Sequence, residues 1–241
     1  MINLFEELRS FARAALVEPV PRDHGQSDAA FRRRRVVALV TLVAGASLLA
    51  AALRVPPGNT WFYIGTTALA GVWSVGALAS GPLHLGRART RSGTELARPV
   101  VQSLALGVLL VVVFLAGALV VSRVPLLREP VDRLLDHARQ GSLALVAVIT
   151  AVNAVAEELY FRGALFAAVG RRHAVAVTTT VYALTTVGPG IPLLVLAAAA
   201  LGLVTGLQRR VTGGILGPVV IHLTWSLGMV FLLPHALKIG D

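Results

Sequence analysis

The chain has 241 residues, 56% of them hydrophobic and only 14% charged, and its mean hydropathy is +0.75. A soluble domain averages about 25% charged residues, so a water-soluble monomer and a disordered chain are both excluded. The absence of cysteine excludes disulfide frameworks, Cys-ligated zinc and thiol nucleophiles. The net charge of +10 rests on arginine, since Lys238 is the one lysine. With the many alanines, that bias suggests a GC-rich bacterial genome.

Residues 2–16 place Ile2, Phe5, Leu8, Ala12, Ala15 and Leu16 at helical spacing, with Glu6, Glu7, Arg9 and Arg13 between them. This pattern predicts an amphipathic helix lying on the membrane surface. It does not read as a signal peptide, because the first apolar core comes late and follows four arginines. Residues 18–30, with Pro19, Pro21 and Gly25, read as a linker. Residues 1–31 are thus expected to form a cytoplasmic segment ahead of an integral membrane bundle over 32–241.

Uncharged stretches at 36–53, 60–86, 100–122, 141–156 and 211–237 each predict a transmembrane helix. The stretch 174–208 is too long for one span and contains Gly188-Pro189-Gly190-Ile191-Pro192, so it predicts two helices and a tight turn. Residues 128–140 set Val131, Leu134, Leu135 and Ala138 against Asp132, Arg133, Asp136 and Arg139, which reads as a solvated surface helix. The expected fold class is all-α: a polytopic membrane bundle of about seven transmembrane helices with an N-terminal interfacial amphipathic helix.

Loop charge sets the orientation. With a cytoplasmic N-terminus, Arg9, Arg13, Arg22, residues 32–35, Arg87, Arg89, Arg91, Arg98, Arg171, Arg172, Arg209 and Arg210 lie inside. Arg54, Arg123, Arg128, Arg133, Arg139 and Lys238 lie outside, and Arg162 falls near the end of the fourth span. The expected location is a bacterial plasma membrane, multi-pass, with the C-terminus external. The arginines follow the loops, and no aromatic-basic platform is present, so a nucleic-acid partner is not expected.

Ionisable groups inside a span are costly and usually functional. The fourth span ends in Glu157-Glu158-Leu159-Tyr160-Phe161-Arg162. Glu158 and Arg162 are four apart, so they share a helix face and form a favourable ion pair. Glu157 points about 100° away and is free to face another helix. The plain alternative is a structural ion pair at the end of a helix. His222 lies about 15 Å into the last span at 1.5 Å per residue. A lone histidine there is usually a satisfied core residue, but beside a buried glutamate pair it suggests a metal or proton site.

The EExxxR pattern at Glu157, Glu158 and Arg162, inside a membrane helix, resembles the first signature of the CPBP family. These are the CAAX-prenyl-protease and bacteriocin-processing-like intramembrane metalloproteases, also called the Abi family. The resemblance covers roughly residues 142–232. It implies a helical bundle with a catalytic site opening to the cytoplasm. It also implies that Glu157 activates water, that Glu158 and Arg162 support it, and that His222 orients or binds the metal or the oxyanion. The second family motif, FxxxH, aligns with Tyr182 and Thr186, so a threonine stands at the histidine position. The third, HxxxN or HxxxD, reads His222 to Ser226. Tyr182, Thr186 and Ser226 are therefore expected to line the cavity. Glu157 and His222 would be the metal ligands if there are any. They make a poor zinc set, since zinc sites generally take three protein ligands plus water.

The expected function is an intramembrane endopeptidase that cleaves a membrane-associated peptide or protein, with zinc weakly held or absent. The alternative is a catalytically impaired pseudoprotease that serves as a membrane scaffold or chaperone for a partner membrane protein. A small proton-coupled transporter using Glu157 and His222 is a third class. It is disfavoured by the lack of inverted repeats.

Overall fold

The structure is a computed structural model and describes residues 4–22, 24–90, 96–140, 142–170 and 172–239. Ile2, Arg91 and Arg171, used above for the surface helix and the loop charges, lie outside the described residues, as does the side chain of Ala138.

Helix α1, Leu4–Leu16, is the amphipathic segment, with Glu6 and Glu7 in its first turn and Arg13 in its last. Those charges oppose the partial charges of the helix ends. Helix α2, Asp28–Ala52, is capped by Ser27, whose hydroxyl accepts from Ala30 N at 3.3 Å. Helix α3, Thr60–Ser80, is capped by Asn59, which accepts from Trp61 N at 2.9 Å. Two short strands follow, β1 (Ala88–Arg89) and β2 (Leu96–Ala97), paired antiparallel. Helix α4 is Val100–Val121, and α5, Pro125–Arg139, is the expected surface helix. Helix α6 runs Leu143–Val169 and carries a π-helical stretch, Leu159–Leu165. Helices α7 (Ala174–Thr185), α8 (Pro192–Thr212) and α9 (Leu216–Ile239) complete the chain.

The all-α polytopic class holds, with a change in the spans. Among the described residues, six helices are long and apolar enough to cross a membrane. The seventh expected span is the 12-residue α7, about 18 Å long at 1.5 Å per residue and too short for a hydrocarbon core of about 30 Å. The breaker cluster after Thr186 stops it early. The turn that follows still reaches the far end of the bundle, where Arg54 Nη2 donates to the Gly188 carbonyl at 3.3 Å. The last span begins at Leu216 rather than at Val211, because α8 runs on to Thr212 and ends at Gly213, whose φ of 70° is left-handed.

The arginine-rich ends of the elements meet. Arg33 and Arg34 of α2 donate to the carbonyls of Ala79, in the last turn of α3, and of Pro82 just beyond it. Arg210 of α8 donates to the Leu16 carbonyl at the end of α1. At the opposite end, His137 of α5 bonds the Val55 carbonyl through Nε2 at 3.0 Å.

The centre is built on α3 and α6. Trp73 is 1% exposed and stacks on Tyr160 with ring centroids 4.5 Å apart. The Tyr160 hydroxyl donates to the Ala38 carbonyl at 2.6 Å and ties α6 to α2. Gly45 lets α2 approach, since a Cβ there would stand 2.2 Å from the Trp73 indole. Close packing through small residues is the main attraction between helices in lipid, where apolar burial gives little. The outer faces of α2 and α4 stay apolar and exposed, as at Val40 and Val101, which suits contact with lipid.

Candidate functional site

Helix α6 enters from its Ser142 cap as an apolar helix and meets Glu157 and Glu158 immediately before the π-helical stretch. Consecutive helical residues face different sides, and the two carboxylates separate accordingly. Glu157 Oε2 accepts from the Tyr182 hydroxyl of α7 at 2.6 Å. Glu158 turns to α9, where His222 Nδ1 donates to its Oε1 at 2.8 Å. Arg162 Nη1 lies 3.1 Å from the same oxygen. The i,i+4 pair expected from the spacing is formed, and both partners are fully buried.

Burial of this kind is costly unless charges are paired. The Glu158 carboxylate is held between a guanidinium and an imidazole. The guanidinium in turn lies 4.9 Å from the centre of the Tyr182 ring, at cation–π distance. The π-helical winding, common at functional sites, holds Arg162 in this layer. The Arg162 carbonyl accepts a further bond from Arg209 Nε at 2.7 Å. The outcome is one fixed ion-pair group, Arg162–Glu158–His222, beside one carboxylate, Glu157, that among the described residues is bound only by a tyrosine hydroxyl.

Glu157 and His222 stand at the inner end of a cavity of about 590 Å3, which Tyr182, Thr186 and Ser226 also line. Its other walls are mostly apolar, as at Leu69, Phe114 and Leu194. Further polar residues that the sequence reading did not single out line it as well, Asn153 and His137 among them. Asn153 sits one turn before Glu157. Its Nδ2 donates to the carbonyls of Thr66 and Ile149, while its Oδ1 is buried without a partner. An amide four residues before a membrane glutamate, in an otherwise apolar helix, was the available signal. His235 bonds its own helix at Phe231, and His84 lies in a separate pocket.

The cavity extends from Glu157 toward Leu53, Val121, His137 and Leu237, away from the arginine-rich end. With the basic end in the cytoplasm this lining runs toward the external end, whereas the resemblance implies a site opening to the cytoplasm.

The donors do not fit a tetrahedral zinc ion, which needs three protein ligands and an open position. His222 Nδ1 is spent on Glu158. The Thr186 hydroxyl donates to the Ala183 carbonyl of its own helix at 2.8 Å. Among the described residues, no three His, Asp or Glu side chains come together as a metal set.

No curated protein and no solved structure matches the chain. Residues 139–228 match the family model described as type II CAAX prenyl endopeptidase Rce1-like. That segment contains Glu157, Glu158, Arg162, Tyr182, Thr186, His222 and Ser226. The match agrees with the CPBP resemblance of the EExxxR motif, and with the apolar helices it supports a CAAX-protease-like multi-pass membrane protein.

Proposed function

We propose that the chain is an intramembrane endopeptidase whose base is Glu157 and which works without a tightly held metal. One observation carries this reading: a carboxylate bound only by the Tyr182 hydroxyl faces a mostly apolar cavity, beside an imidazole whose Nδ1 is fixed by Glu158. Glu157 takes a proton from a water whose oxygen bonds to the peptide carbonyl carbon. The oxyanion forms near His222, whose ring is oriented by Glu158 through Nδ1. Protonated Glu157 then gives its proton to the amide nitrogen as the C–N bond breaks. Glu158 and Arg162 act through His222, as positioning residues. The substrate is a membrane-associated peptide or protein, consistent with the apolar walls.

The second reading, a pseudoprotease scaffold, is favoured by one feature, the Thr186 hydroxyl turned back onto its own helix where the motif has a histidine.

The test uses the full chain in lipid nanodiscs with a pool of membrane-anchored peptides, and mass spectrometry of the products. Cleavage is expected, and Glu157→Gln is expected to lower its rate by about 10²–10⁴-fold, the usual worth of a general base. Peptide retention without cleavage in the unaltered protein supports the scaffold reading. Cleavage that survives in Glu157→Gln removes the glutamate mechanism.

A further inference from the structure

The arginine-rich end of the bundle holds a second cavity, of about 430 Å3. It lies apart from Glu157, and the proposed chemistry does not use it. Arg22, Arg87 and Arg98 line it, together with His24 and His84. Its floor is fixed by backbone. Arg87 N donates to the Thr212 carbonyl at 2.9 Å, Ile215 N to that of His84 at 2.9 Å, and Leu216 N to that of Leu85 at 3.1 Å. Only a glycine allows that approach, since a Cβ on Gly214 would stand 2.0 Å from Gly86 N. One wall is strapped on by Arg22, which donates to the Arg210 carbonyl. The imidazoles of His24 and His84 stack with centroids 3.7 Å apart. The cavity is thus part of the framework rather than a gap between loose side chains.

Among the described residues that line it, the charges have one sign. Behind the walls stand Arg34 and Arg209, 4% and 6% exposed. Each donates to a backbone carbonyl, that of Pro82 and that of Arg162, and Arg34 Nε is buried without a partner. Among the described residues, no carboxylate lies within ion-pair distance of Arg34, Arg87, Arg98 or Arg209. Burial, then the charges of Arg209 and Arg34, lower the pKa of His84 and favour its neutral ring, so the positive charge here is that of the arginines. Like charges gathered in this way repel one another, and a bound anion relieves the repulsion.

We propose that this cavity binds a phosphate group at the depth of the lipid headgroups. Guanidinium groups match phosphate oxygens in paired, charge-assisted hydrogen bonds. The cavity sits where α2, α3, α8 and α9 begin or end, which is headgroup level for spanning helices. Two sources offer this chemistry, an anionic phospholipid and a soluble phosphate.

The full chain in a neutral detergent is titrated with phosphatidylglycerol and, separately, with inorganic phosphate. Bound mass and melting temperature are read. Saturable binding of one of the two is expected, and which one binds assigns the source. Arg87→Gln with Arg98→Gln should weaken it by roughly tenfold or more, the loss expected when charge-assisted bonds are removed. Arg32→Gln with Arg35→Gln removes as much charge from exposed positions outside the cavity and should leave affinity unchanged. Arg87→Lys with Arg98→Lys should keep part of the affinity, and the ligand-free melting temperature shows that each variant folds. Equal weakening by both glutamine pairs, or no saturable binding of either probe, overturns the site.

Discussion

At the scale of single residues, Arg162 decides whether the site holds. Its guanidinium is fully buried 3.1 Å from Glu158, and removing one partner of such a pair strands the other charge, at a cost of about 3–5 kcal/mol. Arg162→Ala should therefore lower the yield of folded protein. Adding Glu158→Gln should partly restore it, because the stranded carboxylate is then gone while an amide can still bond His222. A double variant no better than the single one removes the pairing as the cause. Thr186 carries the second expectation at this scale. The unaltered protein should purify with less than one zinc per chain, and Thr186→His should raise that content by elemental analysis, with Glu157→Ala as control. No rise would mean that position 186 does not face the Glu157 cavity as a ligand could. The Glu158–Arg162 pair was legible because helical spacing is local. The bond from His222 to Glu158 was not, since it joins two helices 64 residues apart, and nothing in a sequence pattern ranks one distant partner above another.

At the scale of elements, the long helices were legible and their irregularities were not. Uncharged length marks a span, but α7 looks like one by hydropathy and stops after 12 residues. The π-helical stretch Leu159–Leu165 leaves no period in the sequence either. The crossing of α2 with α3 depends on Gly45, where a Cβ would collide with Trp73 at 2.2 Å. Gly45→Val should lower the melting temperature of the detergent-solubilised protein, with a cost of about 1–3 kcal/mol, typical of overpacking. Gly71, where a Cβ would meet nothing within 4 Å, is the control, and Gly71→Ala should change little. Equal losses at both positions would show that the contact with Trp73 is not the reason.

At the scale of the whole molecule, most of the arginines collect at one end and the lining of the Glu157 cavity extends toward the other. Ala97→Cys and Leu126→Cys, both on exposed positions at opposite ends, report the orientation. An impermeant thiol reagent on intact cells should label Leu126→Cys and spare Ala97→Cys, because basic loops are retained in the cytoplasm. The reverse pattern would turn the cavity to the cytoplasm, as the family resemblance implies. The central claim is that Glu157, rather than a bound metal, supplies the chemistry. Its most direct test is the rate of peptide cleavage in nanodiscs before and after a strong zinc chelator, in the unaltered protein and in Glu157→Gln. The account predicts a rate that the chelator leaves unchanged and that Glu157→Gln abolishes. A rate that the chelator abolishes and added zinc restores would contradict it.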